Sequence, residues 1–240
     1  MRRTLAVAGF VAIFAVLVPA ATTGAAATGL RHAPNHRITD STSSNWSGYA
    51  VTGNRFTSVS SSWTQPSASC NGTTAYSSFW VGLDGDTSST VEQTGTDADC
   101  SGTTPQYYAW YEMYPKYPVN LSNPVHPGDA MSASVTTDGR GNFTLSISDS
   151  TQHWNFQTTA KLHSASLASA EVIAEAPSSR SGVLPLANFG TVNFSGATAN
   201  GVALGSLPNL DPITMVSGST VKAQPSKISG GSFSVAWKHS

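Results

Sequence analysis

SSFWVGLDGDTSSTVEQTGTD, residues 77–97, reads as two β-strands joined by a tight turn. Side chains alternate along an extended chain, so Phe79, Val81 and Leu83 share one face while Trp80, Gly82 and Asp84 share the other. The first face is ordinary core. The second sets an indole, a bare backbone and a carboxylate in a row, which suits the floor of a cleft better than an exposed sheet. After the Asp84-Gly85-Asp86 turn, the second strand puts Val91 and Gln93 on one face and Glu92 and Thr94 on the other. Gly95 then leaves room for another segment to come close.

Cys70 and Cys100 flank this unit and are the only cysteines in the chain. In an exported protein such a pair reads as a disulfide rather than a metal or redox site. The bridge closes a loop of about 30 residues, for which the chain-entropy estimate is roughly 3–4 kcal/mol.

Outward from the unit, Ser, Thr and Gly are abundant, charged residues make up only 10%, and no window beyond residue 44 sustains a helical period of apolar residues. Strands are expected at 46–51, 57–64, 78–83, 90–94, 106–114, 130–136, 142–148, 153–159, 168–174, 190–195, 213–216, 221–223 and 232–237. They recur about every ten residues with Gly, Pro, Asn, Asp and Ser between them, the pattern of an all-β antiparallel sandwich or jelly roll. Asp138-Gly139-Arg140-Gly141 marks the clearest hairpin, and 178–182 reads as a mobile loop.

Arg2 and Arg3, the apolar run from Leu5 to Leu17 and the small residues up to Gly29 have the layout of a secretory signal peptide. The run is too short for a spanning helix, which needs about 20 residues. Residues 1–29 are therefore expected to be removed on export, leaving a secreted, extracellular protein with no membrane association. Residues 30–43 read as a tail or a short propeptide, and 44–240 as one sandwich domain. From Ser44 onward eight Lys and Arg face twelve Asp and Glu, a net charge of −4. Nucleic acid is excluded as a partner by that balance.

Glutamate is scarce, with only Glu92, Glu112, Glu171 and Glu175 in the chain. Parity groups Glu171 and Glu175 with Ile173, opposite Ala170, Val172 and Ala174. In QYYAWYEMY, residues 106–114, it groups Tyr108, Trp110, Glu112 and Tyr114. Three strands thus each offer a face bearing Trp or carboxylate, which would make an aromatic-walled acidic groove if they lined one sheet. Alternate glutamates also suit a solvated face, Trp80 and Trp110 also suit a core, and Asp84 also suits a turn. His126, His153 and His163 lack ligand spacing, so no metal is expected. Neither G-x-S-x-G, H-E-x-x-H nor D-[ST]-G occurs, and the disulfide uses both cysteines. Any hydrolysis must then rely on carboxylate and amide groups.

Phe79-Trp80-Val81-Gly82-Leu83-Asp84-Gly85, Glu92-Gln93-Thr94-Gly95-Thr96-Asp97, Tyr108-Ala109-Trp110-Tyr111-Glu112-Met113-Tyr114-Pro115 and Ala170-Glu171-Val172-Ile173-Ala174-Glu175 resemble, in order and spacing, the eqolisins or glutamic endopeptidases. Ser44-Asn45-Trp46-Ser47-Gly48-Tyr49 resembles that family's mature N-terminus, and the likeness fades past Phe194. The resemblance implies a sandwich of two bent antiparallel sheets, a concanavalin-like jelly roll, with Gln93 and Glu175 as a catalytic dyad. Trp80, Asp84, Trp110, Glu112 and Glu171 match positions that line or support the cleft. Tyr108 stands where fungal members have an Asp. The implied activity is hydrolysis of polypeptides at acidic pH by a monomer without cofactor, Glu175 acting as general base and Gln93 as oxyanion donor. The rival readings are a carbohydrate-binding or glycoside-hydrolysing sandwich and an inactive binding module. Gln93 separates them, because a glycosidase wants two carboxylates and a lectin needs neither dyad residue.

Overall fold

The computed structural model describes residues 29–240, so the expected signal sequence lies outside the described residues. Thirteen strands of five residues or more carry the fold. They are β1 (Trp46–Thr52), β2 (Ser58–Thr64), β3 (Ser78–Leu83), β4 (Val91–Ser101), β5 (Thr104–Tyr114), β6 (Ala130–Thr137), β7 (Asn142–Asp149), β8 (Trp154–Lys161), β9 (Ser169–Glu175), β10 (Thr191–Ala199), β11 (Leu210–Ser217), β12 (Thr220–Pro225) and β13 (Phe233–Trp237). Each expected strand has its counterpart.

One antiparallel sheet runs in the order β11-β1-β9-β3-β4-β5. The other runs β11-β12-β13-β10-β2-β6-β7-β8. Strand β11 belongs to both: Leu210–Ile213 pair with β1 and the following residues pair with β12. The apolar parity of each strand points between the sheets. Phe79, Val81, Leu83 and Val172 from the first sheet meet Val59, Trp63, Val135, Leu145 and Phe194 from the second. Alternation is cleanest on β7, where Phe143, Leu145 and Ile147 are buried and the residues between them partly exposed.

Two departures from the sequence reading matter for the site. Strand β4 continues to Ser101 instead of stopping near 94, and carries Asp97 and Asp99 into the sheet beside Tyr108 and Gln106 of β5. The stretch expected as a mobile loop is a small hairpin, with Ser178–Ser179 paired to Gly182–Val183. The 138–141 turn forms as expected: Asp138 Oδ1 accepts the N–H groups of Arg140 and Asn142, and Gly139 and Gly141 take positive φ.

Cys70 and Cys100 are joined, with 5.4 Å between their Cα atoms. The bridge ties the end of β4 to the preceding loop, beside a small cluster containing Ala75 and Ala187. Replacing both cysteines by serine is expected to lower stability by roughly 3–4 kcal/mol, because the unfolded chain regains its loop entropy. Thermal melting of the double variant measures this, and an unchanged melting temperature would deny the bridge a stabilising role.

Candidate active site

Register places the polar faces of four strands side by side. Glu171, Gly82, Gln93 and Glu112 form one row across β9, β3, β4 and β5. Ile173, Trp80, Gly95 and Trp110 form the next. Glu175, Ser78, Asp97 and Tyr108 form the third, extended by Trp46 on β1. Gly95 is required by the middle row, because a Cβ there would strike the Phe79 carbonyl and lie 2.5 Å from the Trp80 Cβ. The floor between Gln93 and Glu175 is therefore low, with indoles at its sides.

That floor is covered by the chain's own residues 30–34, while an open depression of about 490 Å³, lined by Ser60, Ser62, Ser132, Ser134 and Ser148, lies elsewhere, on the second sheet. It carries no titratable group. In the cleft, Gln93 Nε2 donates to the His32 carbonyl at 2.6 Å, and the Ala33 N–H donates to Glu175 Oε1 at 2.9 Å. Glu175 Oε2 accepts from Trp80 Nε1 at 2.9 Å. Trp46 Nε1 donates to the Ala33 carbonyl at 2.9 Å, and Asn45 Nδ2 donates to the carbonyls of Ala33 and Pro34.

The His32 ring lies on Trp110, with ring centroids 3.5 Å apart and planes within 4°. Its Nδ1 is 3.0 Å from Glu112 Oε2 and its Nε2 is 3.3 Å from Asp97 Oδ1. Asp97 Oδ1 also accepts from Trp110 Nε1 at 2.6 Å. Burial acts to lower the His32 pKa, but Asp97 and Glu112 outweigh it and push the imidazole up to about 10, so it is held as a cation. Tyr108 donates across the pair formed by Asp97 Oδ2 (2.9 Å) and Asp99 Oδ2 (2.7 Å). The Tyr108 hydroxyl thus lies between two carboxyls.

Eight of the twelve acidic residues after Ser44 are buried on these strands and the loop after β3: Asp84, Asp86, Glu92, Asp97, Asp99, Glu112, Glu171 and Glu175. Burying carboxylates opposes folding, so such a concentration marks a working site. Burial drives the carboxyls of Glu171, Glu175 and Asp99 well above the ordinary range, and that of Glu112 upward. Glu92 rises to about 8 through burial and then the nearby Asp84 charge, and neither of its oxygens has a partner. Its folded pKa exceeds the unfolded value of 4.5, so its stabilising effect is present below pH 4.5 and is lost as pH rises toward 8. Glu92→Gln is expected to raise stability at pH 8 and leave it unchanged at pH 4. Denaturant melts at the two pH values check the sign.

Of the residues singled out from sequence, Trp80, Gln93, Trp110, Glu112 and Glu175 come together around the His32–Ala33 peptide. Glu171 shares the row of Gln93 but stands two strands away, with neither carboxylate oxygen hydrogen-bonded. Asp84, at φ 68°, accepts the N–H groups of Ser166, Leu167 and Ala168, each at 2.8 Å, and so anchors the entry to β9. Asn45, Trp46, Asp97, Asp99 and His32 were not singled out. The parity of Gln93 continued along a longer β4 would have reached Asp97 and Asp99. No local signal marks His32.

The Peptidase A4 family profile matches residues 44–237, beyond the point near Phe194 where the likeness fades by eye. The chain is 30% identical over 127 residues to aspergillopepsin-2 of Aspergillus niger, covering 50% of this chain and 44% of that protein. The match thus spans under half the length of that curated relative. Scytalido-glutamic peptidase with a transition-state analogue inhibitor superposes with a TM-score of 0.72 at 28% identity, covering 81% of this chain and 98% of the other. SCP-B of the eqolisin family, in complex with the tripeptide Ala-Ile-His, gives 0.68 at 26% over the same shares. Aspergilloglutamic peptidase from Aspergillus niger gives 0.62 at 26%, covering 68% and 99%. With its sandwich, its Gln93 and Glu175 across one cleft and a profile match over four-fifths of its length, the chain belongs to the Peptidase A4 family, the eqolisins.

Proposed function

We infer that the protein is a glutamic endopeptidase in which Gln93 and Glu175 hydrolyse peptide bonds with an activated water. The observation that carries this reading is the peptide group lying across both side chains, its oxygen 2.6 Å from Gln93 Nε2 and its nitrogen 2.9 Å from Glu175 Oε1. Ionised Glu175 takes a proton as water adds to the carbonyl carbon. Gln93 donates its amide N–H to the oxyanion, an interaction typically worth about 3–4 kcal/mol of barrier. Glu175 then delivers the proton to the nitrogen it already faces, and the C–N bond breaks. An amide in place of a second carboxylate donates without titrating, which spares the site like-charge repulsion.

Trp80 orients Glu175 through its indole N–H, while Trp110 and Glu112 form the wall on the acyl side. Trp46 and Asn45 hold the leaving side through two carbonyls. Glu171 and Asp84 support the far end of the sheet. Polypeptide is the substrate class, consistent with the peptide ligand of SCP-B. Protonated Asp99 and Glu171 suit work at acidic pH, where Glu175 must still be ionised to act as the base. The disulfide and the expected signal sequence suit a secreted monomer, and among the described residues no helix is long and apolar enough to cross a membrane. Release of peptides from denatured casein between pH 2 and 7 tests the assignment: absence of cleavage by folded protein across that range would refute it.

A further inference from the structure

Beyond the dyad, residues 33–37 follow one continuous path along the body of the protein on the side of Trp46 and Asn45. The Pro34 carbonyl accepts from Asn45 Nδ2 at 3.0 Å. The Asn35 N–H donates to the Gly85 carbonyl at 2.9 Å, and the His36 N–H donates to Asn45 Oδ1 at 2.8 Å. The path ends at Arg37. Its Nη2 donates to both oxygens of Asp86, at 2.9 and 2.8 Å, and lies 3.6 Å from Asp211 Oδ2. The Arg37 side chain is one-third exposed, whereas the Asp86 side chain beneath it is wholly buried.

The two carboxylates come from distant parts of the chain, Asp86 from the loop after β3 and Asp211 from β11. Among the described residues, every hydrogen bond and ion pair of their side chains is made by Asn35, Arg37 or Ser41. All three precede residue 44, where the family match begins. The matched domain therefore holds two neighbouring carboxylates and sets no cation of its own between them. A buried carboxylate without a partner opposes folding, so the pair suits a cation that arrives with a peptide lying in the cleft.

We propose that Asp86 and Asp211 form a distal subsite for a guanidinium or ammonium side chain on the fifth residue after the scissile bond, so that polypeptides with arginine or lysine there are favoured substrates. This rests on the dyad assignment above, which fixes where the bond to be cut lies. With Ala33 in the place of the first residue of the leaving side, Arg37 stands in the place of the fifth. Arginine suits the subsite better than lysine, because a guanidinium is a planar array of donors that can meet both acids, whereas an ammonium is a compact point charge. The subsite is remote from the reacting atoms and acts on substrate and transition state alike, so its effect falls on KM and not on kcat. An ion pair that served only to anchor the N-terminal segment would leave substrate choice indifferent to charge at that position.

The test uses the protein as secreted, at pH 5, with peptides that differ only at the fifth residue after the cut: arginine, lysine or glutamine. Mass spectrometry confirms that all are cut at the same bond. Wild type is expected to cleave the arginine peptide with a kcat/KM about tenfold above that of the glutamine peptide, through a lower KM at similar kcat, with lysine between them. Asp86→Asn with Asp211→Asn is expected to bring that ratio to within about twofold of one. Asp211→Lys, at the less buried of the two positions, keeps the proposal open to refutation if the double variant does not fold: it is expected to cut the arginine preference several-fold. Equal kcat/KM for the arginine and glutamine peptides in wild type would overturn the subsite and leave the peptidase reading standing. So would an undiminished preference in the folded double variant or in folded Asp211→Lys. Cleavage of none of the peptides by folded wild type would overturn the peptidase reading and the subsite with it.

Discussion

Glu175→Gln is expected to leave a folded protein without measurable peptidase activity at any pH. Glu175 accepts the Ala33 N–H, and in the proposed mechanism both proton transfers pass through its carboxylate. General acid–base catalysis of this kind contributes up to about 10⁴-fold, so the residual rate falls below detection in an ordinary assay. The substitution is close to isosteric but not silent. Glu175 accepts from both the Ala33 N–H and Trp80 Nε1, whereas the single oxygen of an amide serves only one of them. A modest loss of stability is therefore expected, about 1–3 kcal/mol for a buried donor left without a partner. Near-UV circular dichroism separates that loss from unfolding, and wild-type turnover by the folded variant would remove Glu175 from the mechanism.

Gln93→Ala is expected to reduce kcat by about a hundredfold or more with little change in KM, since the oxyanion donor acts mainly on charge that develops in the transition state. Gln93→Glu fails differently. It sets a titrating group where the amide nitrogen now stands, 3.3 Å from Glu112 Oε2. Repulsion between two carboxylates raises the pKa of one, so the new group keeps a proton and can still donate at low pH but loses that ability as pH rises. The rate profile should shift to lower pH as well as drop in height. A profile identical in position to that of wild type would mean that position 93 does not touch the reacting carbonyl.

The face that carries the proposed chemistry was legible because strand alternation is a local property. Trp80, Gln93, Trp110, Glu112 and Glu175 fall on the predicted parity, and the register sets them side by side. Asp84 and Glu171 obey the same parity, yet they sit away from the dyad, because parity fixes a face and not a strand's position across the sheet. Asp97 and Asp99 escaped because β4 was expected to end at Thr94, just before Gly95. The run stays extended because Thr96 and Asp97 pair with Phe79 and Ser78 on one side and with Ala109 and Tyr108 on the other. The hairpin at 178–183 owes its order to Arg31, which pairs with Ser178 from almost 150 residues away. His32 was invisible for the same reason: nothing near it in sequence announces a ring that stacks on Trp110 and lies between two acids.

The division of labour between one carboxylate and one amide is tested most directly by a single turnover. A peptide is mixed with an excess of wild type or of folded Glu175→Gln and followed by mass spectrometry, with binding to each measured in parallel. Folded Glu175→Gln is expected to leave the peptide whole, while wild type cleaves it in one exponential phase. Cleavage of the peptide by folded Glu175→Gln at the wild-type rate would contradict that division of labour.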